Sequence, residues 1–594
     1  MAKRSKGKKR LPASKRETAP GAPRPSSPSP AAFSRTVLLP AAVIVAAALL
    51  VYGPVLHGEW LWDDDLLVTN NIRLRSVHGL FEIWFSSPKN DYWPLTWTLL
   101  WIEWHLWGAA PFAYHVVSLV LHVCSGFLIW RLLGRLGLRW GWLGGLLFVA
   151  HPLMVESVAW VAEIKNTFSL PFFLLACDAW LDAEEQKPLA YGKSVLFYLA
   201  AMLAKSSTVM LPAVLLLYCW WKRQSITRQE IARMVPYAAI AVALGFITIY
   251  FQNPVYFRLT GHHPHLIELG GPLTRVLRAG TVVFFYLGKF LLPVGLLPIY
   301  ARSTPDAPLG LQALALPSLA LLLLASWMRR EGWGRHVLFG LGFFLINILP
   351  VAGLVRMKYF EVAWVADHLA YLPIIGLVAL AVAGMEKLGG LMAPRLRPGG
   401  VIALVLLVLG LGWTARNYAS FFADQKSLWT YTLRGNPDGK MPLNKMAYVL
   451  LEERHYDESI REYEIALRSN PDDSEAYCNI GICHIRSGQL DQAQACFEKA
   501  LEIDPDFADA RADLGAVFLQ EQRLPQAAAE FQKVVHTDPE NPNLRYELGV
   551  TLLAMGRAAE AAEQFSQILQ ADPGYPHIRE ALAEAQQKAA AVKP

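Results

Sequence analysis

The sequence predicts an all-α protein in two unlike parts, a polytopic membrane-helical domain followed by an α-solenoid of repeated helix pairs. Three observations carry this. Apolar stretches long enough to cross a bilayer recur to about residue 416, and the loops between them alternate in Lys and Arg content. Beyond Asn436, prolines fall at Pro437, Pro471, Pro505, Pro539 and Pro573, a constant spacing of 34. The 594 residues are 54% hydrophobic and 18% charged with 20 Trp, which a single soluble domain of this size does not need.

The chain opens with MAKRSKGKKRLPASKRE and then GAPRPSSPSPAAF, which has too little apolar surface to fold, so residues 1–33 read as a disordered basic tail. A basic stretch beside an apolar helix is the usual cytoplasmic anchor. The tail is therefore expected inside, and nucleic acid is not expected as a partner. TVLLPAAVIVAAALLVYGPVL (36–56) is longer than a signal peptide's apolar region and lacks a cleavage site after it, so it reads as the first span.

The basic connectors RLLGRLGLR (131–139), KRQSITRQEIAR (222–233), MRREGWGR (328–335) and EKLGGLMAPRLR (386–397) are expected to be cytoplasmic. The alternate connectors then face outside: His57 to about Ala113, 156–166, the turn near Lys205, 252–275 and 356–368, together with everything after Arg416. Residues 276–298 break the count, because a single crossing there puts MRREGWGR on the wrong side. They are re-entrant or divide at Pro293, giving about eleven or thirteen spans.

The 34-residue period is the tetratricopeptide signature. Gly481, Gly515 and Gly549 take the small position where paired helices approach, Ala493, Ala527 and Ala561 take another, and Phe497, Phe531 and Phe565 fill the space between. The first repeat, about 440–471, is degenerate, with Ala447, Ser459 and Tyr463 at those sites. IREALAEAQQKAAA closes the array as a cap. Four repeats and a cap over 440–594, joined by a linker (421–439) to a membrane domain (34–420), form a curved shell whose concave side grips an extended peptide or another protein. The 6 Cys lack metal-ligand spacing and read as packing residues.

Directly after the first span stands WLWDDDLLVTNN (60–71). Three adjacent carboxylates repel, and Asp is a poor helix former that is costly near hydrocarbon. A solvated turn, with Asn70 and Asn71 as further turn residues, is the bland account of Asp63, Asp64 and Asp65. The apolar WLW before them argues against full solvation, and an acid held at that depth has its pKa set by its surroundings and can act as a general base. Trp60, Trp62, Trp84, Trp93, Trp97, Trp101, Trp104 and Trp107 in the same loop form an interfacial belt or stacking surfaces for a sugar or isoprenoid.

Other polar residues gather on the expected outer side: His115, His122, His151, Glu156, Glu163, Lys165, Lys205, Arg356, Lys358, Asp367 and His368. Acids and bases converging there from separate spans form a polar pocket in which Lys205 and Arg356 hold a phosphate leaving group. A divalent metal is not expected, since no His/Asp cluster has ligand spacing on one helix face, and GHHPH (261–265) reads as a proline-containing turn.

WDDDLLVTNN, YWPLTWTLLW (92–101), FAYHVVSLVLH (112–122), AHPLMVESVAWVAEIKN (150–166), LAKSSTVMLP (203–212), NILPVAG (347–353) and VADHLAYLP (365–373), with tetratricopeptide repeats behind them, resemble the transmembrane and tetratricopeptide-repeat protein family over roughly residues 36–590. The resemblance implies a GT-C glycosyltransferase fold and an inverting transfer on the non-cytoplasmic side, with a polyprenyl-phosphate-linked sugar as donor, Ser or Thr hydroxyls of exported proteins as acceptor, and no further cofactor. It implies an acidic catalytic base in the first outer loop, which maps to Asp63 or Asp64. The candidate substrate-binding set is Asp65, Asn71, His151, Glu156, Lys165, Lys205, Arg356, Asp367 and His368, with Lys205 and Arg356 inferred for the phosphate.

Two departures stand out. Ile164, Lys165 and Asn166 follow VAE where a basic residue, Lys and Asp are expected, and His368 follows Asp367 where an Arg is expected, which weakens phosphate binding or makes it pH-dependent. The competing account is a membrane-anchored scaffold whose repeats assemble protein complexes; an anchor needs neither eleven spans nor polar residues on one side. The expected location is a bacterial inner membrane with the repeats in the periplasm, or the endoplasmic reticulum membrane in a eukaryote.

Overall fold

A computed structural model describes residues 30–86, 92–251, 270–302, 314–355, 357–539 and 541–591. Every regular element among them is helical. The basic tail expected over 1–33 lies outside the described residues as far as residue 29; from Pro30 the chain is helix to Tyr52. The GHHPH turn also lies outside them.

Among the described residues, six helices are long and apolar enough to cross a membrane: Val37–Val55, Pro111–Arg135, Arg228–Thr248, Gly334–Val351, Ile374–Leu391 and Pro394–Ser420. A seventh crossing forms if Gly141–Ala150 and Pro152–Ala159 are one span, bent by 61°. The break falls at Pro152, which has no N–H to continue the helix. The eleven or thirteen spans expected are thus not all separate full-length helices among the described residues. Ala190–Ala204 and Ala315–Met328 are shorter apolar helices, and 14 residues reach only about 21 Å at 1.5 Å per residue.

The segment that broke the count is the helix Pro272–Leu291. Arg278 lies over the Trp364 ring at 3.8 Å, Tyr286 donates to the Ala366 carbonyl at 2.8 Å, and the Phe290 carbonyl meets His151 Nε2 at 3.1 Å. Its first and second halves thus both touch the stretch 364–366, and its end reaches His151. A one-sided helix carrying Arg275, Arg278 and Lys289 does not count as a simple crossing.

The four basic connectors meet at one end of the bundle. Arg135 binds Asp178, Asp182 and Glu185, Arg233 binds Glu184, Arg223 pairs with Glu184 and Glu230, and Arg139 reaches Glu386. Trp221 Nε1 faces His336 at 3.1 Å, and Trp220 stacks on Trp327.

At the opposite end, the outer loop folds around its own small core of Val68, Leu74, Ile83, Trp97, Leu100 and Tyr114. Several of its tryptophans are tied inside that loop: Trp60 Nε1 donates to Ala109 O, Trp84 Nε1 to Thr98 and Trp101 Nε1 to Ser76 O.

Residues 421–439, expected as a linker, carry the helix Gln425–Gly435. Trp429 is fully buried, Tyr431 donates to Leu296 O at 2.8 Å, and Glu59 N donates to Ala423 O at 2.9 Å. The linker thus includes a helix docked by apolar surface. Four helix pairs follow from Lys440 to Ala571, closed by Ile578–Ala591. A Cβ on Gly481, Gly515 or Gly549 would sit 2.5–3.1 Å from ring atoms of Phe497, Phe531 or Phe565. The first pair replaces that glycine–ring contact by a hydrogen bond from Ser459 Oγ to Ala447 O at 2.6 Å, beside buried Tyr463.

Candidate active site

The chain leaves its first helix at Tyr52 and turns sharply through Gly53–Val55, and Trp62 then adopts a left-handed backbone, φ 49°. That conformation is rare for a bulky residue and needs surroundings that hold it. Trp62 stacks on Trp160 at 4.6 Å and 8°, and Trp160 Nε1 donates to Leu61 O. The two residues that follow Trp62 are the first acids of the triplet.

Asp64 is fully buried. Its Oδ2 accepts from Leu61 N at 2.8 Å and its Oδ1 from Ala162 N at 2.7 Å, so one carboxylate staples the outer loop to the turn Val161–Glu163. Burial pushes its carboxyl up to about 8, against the pull of both N–H donors and with help from Asp63 and Asp65. Asp63 beside it is half-buried, with its carbonyl receiving Leu67 N. Asp65 is half-buried and accepts from Thr69 Oγ1 at 3.1 Å at the start of a π-helical turn, Asp65–Thr69. Asn71 caps the next turn by accepting from Arg73 N.

The Ala162 peptide joins the triplet to a charged cluster: its N–H goes to Asp64, and its carbonyl accepts from Lys165 Nζ at 3.0 Å. Lys165 also binds Glu163 Oε1 at 2.6 Å and lies 5.0 Å from the Trp93 ring. Glu163 Oε2 accepts from Asn166 Nδ2 at 2.6 Å, Asn166 Oδ1 accepts from Lys205, and Lys205 Nζ stands 3.8 Å from Glu163. Burial alone raises Glu163, but His368, Lys165 and Lys205 hold it down to about 2. His368 Nε2 is 3.9 Å from Glu163, while its Nδ1 and backbone N bind Glu156 at 2.9 Å each.

Glu156, Lys165, Lys205 and His368 therefore come together, with Asp64 attached through one peptide. Asp367 turns elsewhere, accepting from Tyr300 and Tyr418 hydroxyls at 2.8 and 3.1 Å. Burial raises it well above the usual carboxylate range, Glu156 adds to this, and the two hydroxyls oppose it. His151 is spent on Leu153 N and Phe290 O. Arg356 lies outside the described residues. Sequence reasoning did not pick Asn166 as the bridge between Lys205 and Glu163, nor Tyr300 and Tyr418 as partners of Asp367. A tyrosine far along the chain carries no local signal of where it points. No group of three His, Cys, Asp or Glu placed to hold a metal ion occurs among the described residues.

Models of the tetratricopeptide repeat match residues 474–507, 494–546 and 518–585. Among curated proteins, the chain is 24% identical over 443 residues to protein O-mannosyl-transferase TMTC4 of Mus musculus, covering 63% of this chain and 59% of that protein. It is 22% identical over 499 residues to protein O-mannosyl-transferase TMTC1 of Homo sapiens, covering 72% and 54%. It is 20% identical over 393 residues to protein O-mannosyl-transferase F38B6.6 of Caenorhabditis elegans, covering 63% and 54%. The chain thus spans less than two thirds of the length of these relatives. One solved tetratricopeptide-repeat structure, YrrB, is 21% identical with a TM-score of 0.26, covering 28% of this chain and 85% of that one. The chain is similar, at low identity, to the TMTC-like family, with its apolar membrane helices and C-terminal repeats.

Proposed function

We propose, from this TMTC-like organisation, that the chain is an integral-membrane glycosyltransferase that moves a sugar from a polyprenyl-phosphate donor to Ser or Thr hydroxyls of exported proteins. The membrane part, 34–420, holds the reaction on the non-cytoplasmic side, and the repeats, 440–594, present an extended acceptor. A bacterial inner membrane with the repeats in the periplasm fits the charge of the connectors. The observation that carries the reading is the Ala162 peptide, which ties the acidic triplet to a cluster holding two lysines.

In this reading Asp63 is the base and Asp64 its anchor, because Asp64 has no exposed surface and both its oxygens accept backbone N–H groups. Asp63 takes the proton of the acceptor hydroxyl as that oxygen attacks the anomeric carbon. The bond from that carbon to the phosphate oxygen breaks with inversion, and the lipid phosphate leaves with the electron pair. Lys165 and Lys205 face the leaving phosphate, and His368 takes part in place of a fixed guanidinium. Asp65, Asn71, His151 and Asp367 shape the surrounding loops, and Arg356 is a further phosphate ligand.

A second reading rests on one observation: Lys165 is already bound to Glu163, and Lys205 to Asn166. A closed network of that kind suits a structural brace in a repeat-bearing scaffold. Purified protein offered a panel of polyprenyl-phosphate sugars and a Ser/Thr peptide separates the two. Release of lipid phosphate that Asp63→Asn abolishes supports the transferase, and no release with any donor supports the scaffold.

A further inference from the structure

Beyond the last membrane helix, Trp429 meets Trp62 in an edge-to-face contact, ring centroids 5.3 Å apart at 70°. Trp62 is therefore in contact with two rings, the parallel face of Trp160 and the inclined ring of a residue that arrives more than 360 positions later. Three facts make this contact more than packing. Trp62 is the left-handed residue, its neighbours Asp63 and Asp64 are the acids at issue, and Leu61 on its other side both donates to Asp64 and accepts from Trp160. The backbone that aims the acids is thus held at a strained residue by its side chain as well as by the turn that Asp64 N closes on Leu61 O at 2.9 Å. The helix bearing Trp429 is itself anchored through Ala423 O to Glu59 N and through Tyr431 to Leu296 O.

We propose that Trp429 is a positioning residue for the Asp63–Asp64 pair: by clamping Trp62 in its left-handed conformation, the helix between membrane domain and repeats completes the first outer loop. This rests on the transferase reading for its kinetic consequence, but not for its geometry. Without the clamp, Trp62 relaxes toward an ordinary extended or right-handed backbone, the turn closed by Asp64 N on Leu61 O loosens, and Asp63, between Trp62 and the Asp64 staple, shifts. Glycine adopts the left-handed conformation without a clamp, which gives the proposal a distinguishing signature.

The test uses the full-length protein. Trp429→Ala is expected to lower kcat on the order of a hundredfold with the donor KM unchanged, as for a misplaced reacting group. Trp429→Phe, which keeps a ring edge, should recover most of that loss. Adding Trp62→Gly to Trp429→Ala should also recover part of it, which a simple loss of packing would not allow. A second arm needs no turnover: a cysteine placed by Asp63→Cys is alkylated, with the native, buried Cys219 as the control for global unfolding. Trp429→Ala should raise the alkylation rate at position 63 several-fold and leave Cys219 unchanged. Unchanged alkylation at position 63, or activity loss that neither second substitution relieves, overturns the proposal. Should the wild-type protein transfer no sugar, the transferase reading fails, and the alkylation arm alone decides the clamp.

Discussion

Glu156 holds His368 twice, its Oε2 accepting from the backbone N–H and its Oε1 from Nδ1, each at 2.9 Å. With Nδ1 assigned as the donor by that bond, Nε2 is left facing Glu163 at 3.9 Å. Two stretches far apart in sequence, ESVAWVAE and VADHLAYLP, are thereby locked at one point. Glu156→Gln keeps one acceptor but turns an NH2 group toward a donor. Thermal unfolding in detergent should show a loss of roughly 1–3 kcal/mol, the cost of a buried unsatisfied donor. An unchanged midpoint would mean that the double grip contributes nothing.

The acids of the triplet should separate by experiment. Asp63→Asn is expected to lower transfer by roughly 10²–10⁴ without moving the unfolding midpoint, as removal of a general base does. Asp64→Asn places an amide NH2 against either Leu61 N–H or Ala162 N–H, so it should lose roughly 1–3 kcal/mol of stability as well as activity. The pairing of rate and stability in the two variants is the measurement. A stable, inactive Asp64→Asn beside a fully active Asp63→Asn would reverse the roles.

How much of this was legible is clearest at particular residues. Gly515 and Phe531 announced their contact because a repeat reports the same geometry several times over, each copy checking the others. The four basic connectors likewise revealed that they share an end, through charge alone. Trp429 gave no such sign: its helix is short and polar on one face, and nothing local distinguishes a docked helix from a linker. The span count is hardest to read where helices bend, as at Pro152, or carry several charges, as Pro272–Leu291 does, because hydropathy records composition and not direction. Asp64 could be named as important, yet its role as a staple depends on Ala162 N–H, and a backbone partner leaves no trace in side-chain identity.

The buried carboxyls fix the direction of the pH dependence of stability. Asp64 rises from 3.8 to about 8, and burial pushes Glu103, whose oxygens have no partner among the described residues, from 4.5 to about 9. Groups raised in the fold bind more protons there than in the unfolded chain. Their contribution is complete below about pH 4 and is lost as pH rises through 8 and 9. Glu163, raised by burial but held down to about 2 by His368, Lys165 and Lys205, acts oppositely: its contribution is present above 4.5 and lost as pH falls toward 2. Unfolding midpoints across this range should therefore peak on the mildly acidic side. Glu103→Gln, an isostere of the neutral acid, should leave stability near its original value at pH 7 and flatten the alkaline fall. A strong loss at pH 7 would show that Glu103 is charged and paired.

The repeats offer a test independent of the membrane part. Gly515 sits where a Cβ would lie 2.9–3.1 Å from three ring atoms of Phe531, a residue only 1% exposed. Gly515→Ala must therefore displace that ring in a closely packed pair of helices, and overpacking of this kind costs roughly 1–3 kcal/mol. The helix Ala508–Gln520 itself gains slightly from alanine, so any net loss reports the ring contact. Phe531→Leu alone should also destabilise, by leaving space between the helices. Combining Gly515→Ala with Phe531→Leu lets the methyl group occupy room the ring gave up, so the double variant should be more stable than the sum of the two single effects predicts. Limited proteolysis and thermal unfolding of the full chain would read this coupling. Strict additivity would mean that Gly515 and Phe531 do not meet as described.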